Sequence, residues 1–327
     1  MISGVLSGTI VALAGGVGGA RMADGLARTL PPRQLTVVVN TGDDFTHFGL
    51  AISPDLDTQL YTLAGLVNPE TGWGRKDETW TFMDRLATLG GPTWFRLGDG
   101  DLALHAERTR RLAAGDSLSR ITADFAAAHG LAAALLPMSD DPVRTFLDTE
   151  DGRLSMQDYF VRHRCRPVVR RISYAGAAVA TAAPGVLAAL ADPALAAVVL
   201  CPSNPYLSID PILAVPGIRK ALAGLHVPVV AVSPIVGGAA VKGPLAKLMV
   251  EFGIPVSPRS IAAHYAGLID GLVMDERDAP QARDIDVPCH VTDTVMRNAA
   301  RRQNLARACL DLAATLARRP TAKRLAA

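Results

Sequence analysis

Short runs of apolar residues alternate along this chain with longer stretches in which apolar positions recur every three or four residues. Residues 9–14 (TIVALA) and 35–40 (LTVVVN) read as strands, and 20–30 between them has helical spacing. Further apolar runs at 132–136, 196–201, 227–233 and 271–274 are mostly continuous rather than alternating, the pattern of strands covered on both faces. Helical periodicity marks 79–89, 102–114, 117–129 and the Ala/Leu/Arg-rich stretch 294–316. Beyond it, Arg318, Arg319, Lys323 and Arg324 read as the frayed basic end of a closing helix. Residues 143–155, with Asp151-Gly152 at the turn, read as a hairpin. The predicted fold is α/β, with a doubly wound, mostly parallel, Rossmann-like sheet. A single domain is expected over 1–327, with 79–165 as a smaller helical and hairpin cap.

Composition narrows the function. At 327 residues and 49% apolar content the chain buries a substantial core without special cross-links. The 33 Lys+Arg against 31 Asp+Glu leave a formal charge of +2, no basis for a nucleic-acid or membrane footprint, so a small-molecule partner is expected. Cys165, Cys201, Cys289 and Cys309 form no CxxC pair, which suits neither a disulfide framework nor a zinc knuckle and fits a reducing cytoplasm. The opening MISGVLSGTIVALAGG lacks a basic start and reads as strand rather than signal peptide, and no apolar stretch is long enough to suggest a membrane span.

Two neighbouring strand ends carry the candidate chemistry. Ala14-Gly15-Gly16-Val17-Gly18-Gly19-Ala20-Arg21 follows the first strand; Gly15, Gly16, Gly18 and Gly19 would let the backbone approach a phosphate, with helix-start amides facing the charge. It lacks the final glycine or alanine of a dinucleotide fingerprint and the Lys-Ser/Thr of a P-loop, and an unliganded tight turn remains a reading. After the second strand, NTGDDFTHFGLAISPDLDT places Asp43, Asp44, Asp55 and Asp57 within fifteen residues. Mg²⁺ takes hard oxygen ligands, one or two of them protein carboxylates, so the loop holds more than such an ion needs. Asp57, just before Thr58-Gln59-Leu60, reads equally as a helix cap, Asp43 and Asp44 as a solvated turn, and His47 as incidental.

Two later loops complete a ring at one sheet edge. Ser203 and Asn204 lie in CPSNP after a buried strand; Ser233 follows another and leads through Gly237-Gly238 to Lys242. Open α/β sheets bind ligands at that carboxyl edge.

These segments, with Trp73-Gly74, LGDGDLALH from Leu97, LPMSDDPV from Leu136 and MDERDA from Met274, resemble the 2-phospho-L-lactate transferase family, the CofD proteins of coenzyme F420 biosynthesis. The resemblance spans nearly the whole chain. It implies transfer of a phospho-acid moiety, derived from 2-phospholactate, phosphoenolpyruvate or 3-phosphoglycerate, from a guanosine diphosphate-linked donor to the ribityl hydroxyl of the deazaflavin FO, releasing GMP with Mg²⁺ assistance. It further implies a homodimer, with Asp43 and Asp57 at the metal and Asp44 positioning the hydroxyl. Gly15, Gly16, Gly18 and Gly19 would hold donor phosphates and Arg21 the acid carboxylate, with His47 and Asp55 beside them. Ser203, Asn204, Ser233 and Lys242 would take the guanosine end, and Ser139, Asp140 and Asp141 the acceptor side. The competing reading is a CofD-like regulator that binds a nucleotide sugar without transfer.

Overall fold

A computed structural model describes residues 7–318. The first six residues of the opening segment, and Arg319, Lys323 and Arg324 of the basic end, lie outside the described residues.

The strands are β1 (Thr9–Ala14), β2 (Leu35–Val39), β3 (Phe45–His47), β4 (Leu50–Ile52), β5 (Ala134–Pro137), β6 (Arg144–Thr149), β7 (Gly152–Ser155), β8 (Val169–Ala175), β9 (Leu195–Leu200), β10 (Val229–Val232), β11 (Ile235–Val236), β12 (Ala239–Ala240), β13 (Gly271–Asp275) and β14 (Cys289–Thr292). The α-helices are α1 (Gly16–Ala27), α2 (Pro54–Leu63), α3 (Thr81–Thr88), α4 (Asp99–Ala113), α5 (Leu118–Ala128), α6 (Val186–Leu190), α7 (Asp210–Ala214), α8 (Ile218–Ala223), α9 (Leu245–Glu251), α10 (Pro258–His264) and α11 (Ala299–Ala317).

Seven strands form one sheet in the order β14-β13-β10-β9-β1-β2-β5, and every pairing in it is parallel. The alternation of the strands divides the core by face. Val11, Leu13, Val198, Leu200, Ala231 and Met274 pack toward α6, α7, α8, α9 and α10, whereas Ile10, Ala12, Val199, Val230 and Val273 pack toward α1, α2 and α11. The expected α/β, doubly wound, Rossmann-like architecture is therefore present. Strand order reverses between β1 and β9, which places the loops after Ala14 and Leu200 across the switch-point crevice.

Differences from the expected boundaries have local causes. The first helix starts at Gly16 rather than at residue 20, because Gly18 and Gly19 are helical residues packed on the neighbouring loop. The cap differs in two ways: β5, inside the expected span 79–165, belongs to the main sheet, and the hairpin β6–β7 gains a third antiparallel strand, β8, beyond residue 165. A small core of Leu147, Met156, Tyr159 and Val169 seats this three-stranded sheet against Leu207 and Leu248 of the main body. Edge strand β14 and the short hairpin β3–β4 are also present, the latter too brief to show a period in sequence.

Close approach explains one glycine and backbone angle another. A Cβ at Gly18 would collide with the Pro202 carbonyl oxygen, whereas at Gly16 it would meet open space but the backbone sits at φ +60°. Gly18→Ala is expected to cost about 2–3 kcal/mol through overpacking, and Gly16→Ala only about 1–2 kcal/mol through its left-handed φ. Urea unfolding of both variants checks the order.

Candidate active site

The glycine turn is locked before any ligand arrives. Ser203 Oγ accepts from the Gly15 amide at 3.2 Å and donates to the Gly15 carbonyl at 2.8 Å, which ties β1 to the CPSNP loop across the switch point. Asp55, on the first turn of α2, accepts the Gly16 amide at 2.8 Å through one oxygen and Asn40 Nδ2 at 2.9 Å through the other. Asn40 Oδ1 in turn accepts the Gly42 amide at 2.8 Å. One carboxylate therefore joins the ends of β1 and β2 to the start of α2. Beyond Gly16, the first-turn amides of Val17 and Gly18 lack intrahelical acceptors and add positive potential to this edge.

The acidic loop folds back over this junction. Asp44 accepts from Ser53 Oγ at 2.8 Å with one oxygen; its other oxygen, and Asp43 Oδ1, are buried without a partner. Burial, and then the Asp55 carboxylate, push Asp43 well above the ordinary carboxylate range. Burial also raises Asp44 to about 7, opposed by the Arg144 guanidinium, and Asp55 to about 6. Both orphan-bearing residues line a cavity of about 230 Å³ between the loop and the three-stranded sheet, with Phe45, Arg144, Phe146, Met156 and Gln157 among its other walls. The sheet is hung directly on the loop, since Thr145 donates its amide to the Gly42 carbonyl at 2.7 Å.

Asp57 stands apart from Asp43 and Asp44. Ser53 is the N-cap residue of α2 and Pro54 its first residue, so Asp57 lies within the first turn and is not the cap. Both its oxygens are gripped by the guanidinium of Arg108 from α4, and His105 Nδ1 lies 3.7 Å away. Burial lowers His105 to about 4 and keeps its ring neutral.

A family model described as 2-phospho-L-lactate transferase CofD matches residues 10–305. The chain belongs to the CofD family. It is 44% identical over 313 residues to the phosphoenolpyruvate transferase of Streptomyces griseus, covering 93% of this chain and 98% of that protein. The phosphoenolpyruvate transferase of Thermobifida fusca is 43% identical over 324 residues, covering 95% and 99%. A upf0052-family protein from Bacillus halodurans has a crystal structure that superposes with a TM-score of 0.61 at 15% identity, covering 94% of this chain and 100% of that one, and shows the shared fold. The CofD-family chain is a transferase by these relationships.

Among the residues singled out from sequence, the structure gathers Gly15, Gly16, Asp43, Asp44, Asp55 and Ser203 around the switch point. Arg21 and Lys242 also converge: the Arg21 guanidinium lies beside Gly72, its charge acts on Lys242, and Lys242 Nζ donates to the neighbouring Thr71 carbonyl at 2.9 Å. The remaining residues have local structural partners. Gly18 and Gly19 pack against Pro202 and Ser203, where a Cβ would collide, so close packing alone requires glycine at both. Asn204 caps the helical turn Pro205–Ile209, leaving only its buried Nδ2 without a partner, and Ser233 closes a local turn with Ile235. His47 is buried in a cluster of aromatic rings, with Phe48 at 3.9 Å and Trp94 at 5.3 Å between centroids. Of the residues expected on the acceptor side, Asp140 holds Ser119 at the start of α5, while Ser139 and Asp141 tie their loop to Thr181. Arg144 and Thr145, unmarked by any motif, line the cavity beside Asp43 and Asp44.

Among the described residues no three or more His, Cys, Asp or Glu side chains are grouped to hold a metal ion. Mg²⁺ needs fewer, because water and substrate phosphates complete its shell. The partnerless oxygens of Asp43 and Asp44 fit such an ion, while Asp57 is committed to Arg108.

These raised carboxylates make stability fall with pH. Asp44 and Asp55 bind protons more tightly folded than unfolded, so the stability they contribute is complete below the unfolded pKa and lost as pH rises through about 7 and about 6. His105, lowered to about 4, gives the opposite slope, but only below the unfolded histidine value of about 6.5. The carboxylate slope therefore stands clear between about pH 6.5 and 8. Thermal melting without divalent cations is expected to show a falling Tm across that window, flattened in Asp44→Asn and by millimolar Mg²⁺.

Proposed function

We propose that this transferase joins a phosphoenolpyruvate-derived phospho-acid, delivered as a guanosine diphosphate-linked donor, to the ribityl hydroxyl of the deazaflavin FO, forming a precursor of coenzyme F420. The carrying observation is that Asp43 and Asp44, each with a buried carboxylate oxygen that lacks a partner, line a cavity together with Arg144. The names of the relatives support phosphoenolpyruvate as the acid.

In this reading the acceptor oxygen forms a bond to the phosphorus that carries the acid, the bond from that phosphorus to the bridging oxygen breaks, and GMP leaves. Asp44, raised to about 7, is suited to take the hydroxyl proton near neutral pH. Arg144 offers a cation to the phosphoryl oxygens, and the start of α1 with Arg21 and Lys242 forms the donor-phosphate edge. Phe45 and Phe146 give the cavity the aromatic walls that suit a planar ring system. Bound Mg²⁺, held by Asp43 with Asp44 beside it, would neutralise the charge that builds on the phosphates. Membership in a transferase family weighs against the regulator that binds a nucleotide sugar without transfer.

Incubation with FO, Mg²⁺ and the three guanosine diphosphate-linked phospho-acids in competition, read by mass spectrometry, is expected to give mainly the phosphoenolpyruvate-derived phosphodiester. No phosphodiester at all would overturn the assignment. Asp43→Asn and Arg144→Gln are each expected to lower kcat by about 100-fold or more, the usual cost of losing a transition-state charge contact, while thermal melting shows that each variant keeps its fold.

A further inference from the structure

Helix α4 presents Asp101, His105 and Arg108, spaced four and three residues apart, toward α2 and the acidic loop. Asp101 accepts the Tyr61 hydroxyl at 2.5 Å, and Arg108 pairs with Asp57 through both nitrogens of its fork. The same guanidinium reaches the Ala51 carbonyl at 3.2 Å, and the Ala51 amide donates to Thr109 Oγ1 at 2.8 Å. Residues 108 and 109 thus clamp β4, the return arm of the acidic loop, through both backbone polar groups of Ala51.

The ion pair is almost completely enclosed, with Arg108 2% and Asp57 6% exposed. Burial works against the Arg108 charge, yet Asp57, followed by Asp44, holds it firmly protonated. Burying two charges costs several kcal/mol per ion, and a pair of hydrophobic residues often does as well for stability. What an apolar pair cannot supply here is a fixed direction for the Asp57 carboxylate and a positive charge beside a cluster of four buried aspartates. Neither is needed to hold α4, which Tyr61, Thr109 and its own packing against β4 and α5 already attach.

We propose that Arg108 is a positioning residue for the transfer reaction: acting through Asp57 and Ala51, it fixes the acidic loop, and as an internal counter-cation it limits how tightly the aspartates grip a divalent ion. This rests on the metal-assisted reading above. Loss of the Arg108 charge should tighten ion binding while it slows turnover, a combination that a damaged fold does not produce.

The test measures Mn²⁺ affinity by electron paramagnetic resonance on the substrate-free protein, alongside kcat, KM and Tm. R108Q is expected to bind Mn²⁺ about tenfold tighter, the scale of removing one nearby charge at intermediate dielectric. Its kcat should fall about 100-fold with KM changed by less than about threefold, the signature of a transition-state rather than a binding defect. R108K, which keeps the charge but not the fork, should keep near-native Mn²⁺ affinity and lose about tenfold in kcat. If R108Q does not fold, the double variant D57N/R108Q, which removes both charges, carries the measurement, with Mn²⁺ affinity near wild type and kcat as low as expected for R108Q. Native kcat in R108K and in whichever of R108Q or the double variant folds would overturn the proposal. So would R108Q with unchanged or weaker Mn²⁺ binding and a lowered Tm, the behaviour of a structural strut. Wild-type protein that binds no Mn²⁺ would sink the metal-assisted reading and this proposal with it, whereas native Mn²⁺ binding with unaltered R108Q affinity would sink only the role of Arg108.

Discussion

The site depends on one buried carboxylate. Asp55 bridges the Gly16 amide and the Asn40 side chain, and so joins the ends of β1 and β2 to the start of α2. A neutral residue could accept from one of these donors, but a carboxylate accepts from both and also complements the positive end of α1. The cost is a charge held among like charges: burial raises Asp55 to about 6, and burial, followed by the Asp55 charge, pushes Asp43 well above the ordinary carboxylate range. The bond that organises the switch point thereby adds to the negative field on the neighbouring Asp43.

The remaining electrostatics follow from that crowding. Four aspartates lie buried within one loop and its following helix turn, and they meet different fates. Asp55 is spent on backbone architecture, and Asp57 is neutralised by Arg108. Asp43 and Asp44 are left with oxygens that no protein group satisfies. A buried carboxylate oxygen without a partner is costly in a folded protein unless a proton, an ion or a substrate completes it. The division of labour among chemically identical side chains is thus an outcome of what each one faces.

Much of the fold was legible along the chain. The runs 9–14, 35–40, 196–201 and 227–233 became parallel strands within a residue or two, because strands covered on both faces must be apolar throughout. The helix starting at Gly16 was read four residues late, since glycine's low propensity conceals a helix whose early residues are chosen for close packing. β8 was missed because its exposed Arg170 and Arg171 interrupt the pattern; its partner is an antiparallel strand at sequence distance, and neither face is fully enclosed. For the site, the glycine turn and the aspartate loop stood out through residue type and spacing. Arg108 did not, although Asp101, His105 and Arg108 share one stripe of α4, a polar face that equally describes a solvated helix. Arg144 carried no local signal at all.

Sequence alone determined the α/β class, the family and the chemistry available at two adjacent strand ends, because periodicity, glycine placement and side-chain type are local properties. Only the tertiary structure decided which aspartate faces an arginine, which faces a backbone amide and which faces an open cavity. Those roles depend on residues dozens of positions away, such as Arg108 against Asp57 and Ser203 against Gly15, and on a burial that no single stretch of chain can report.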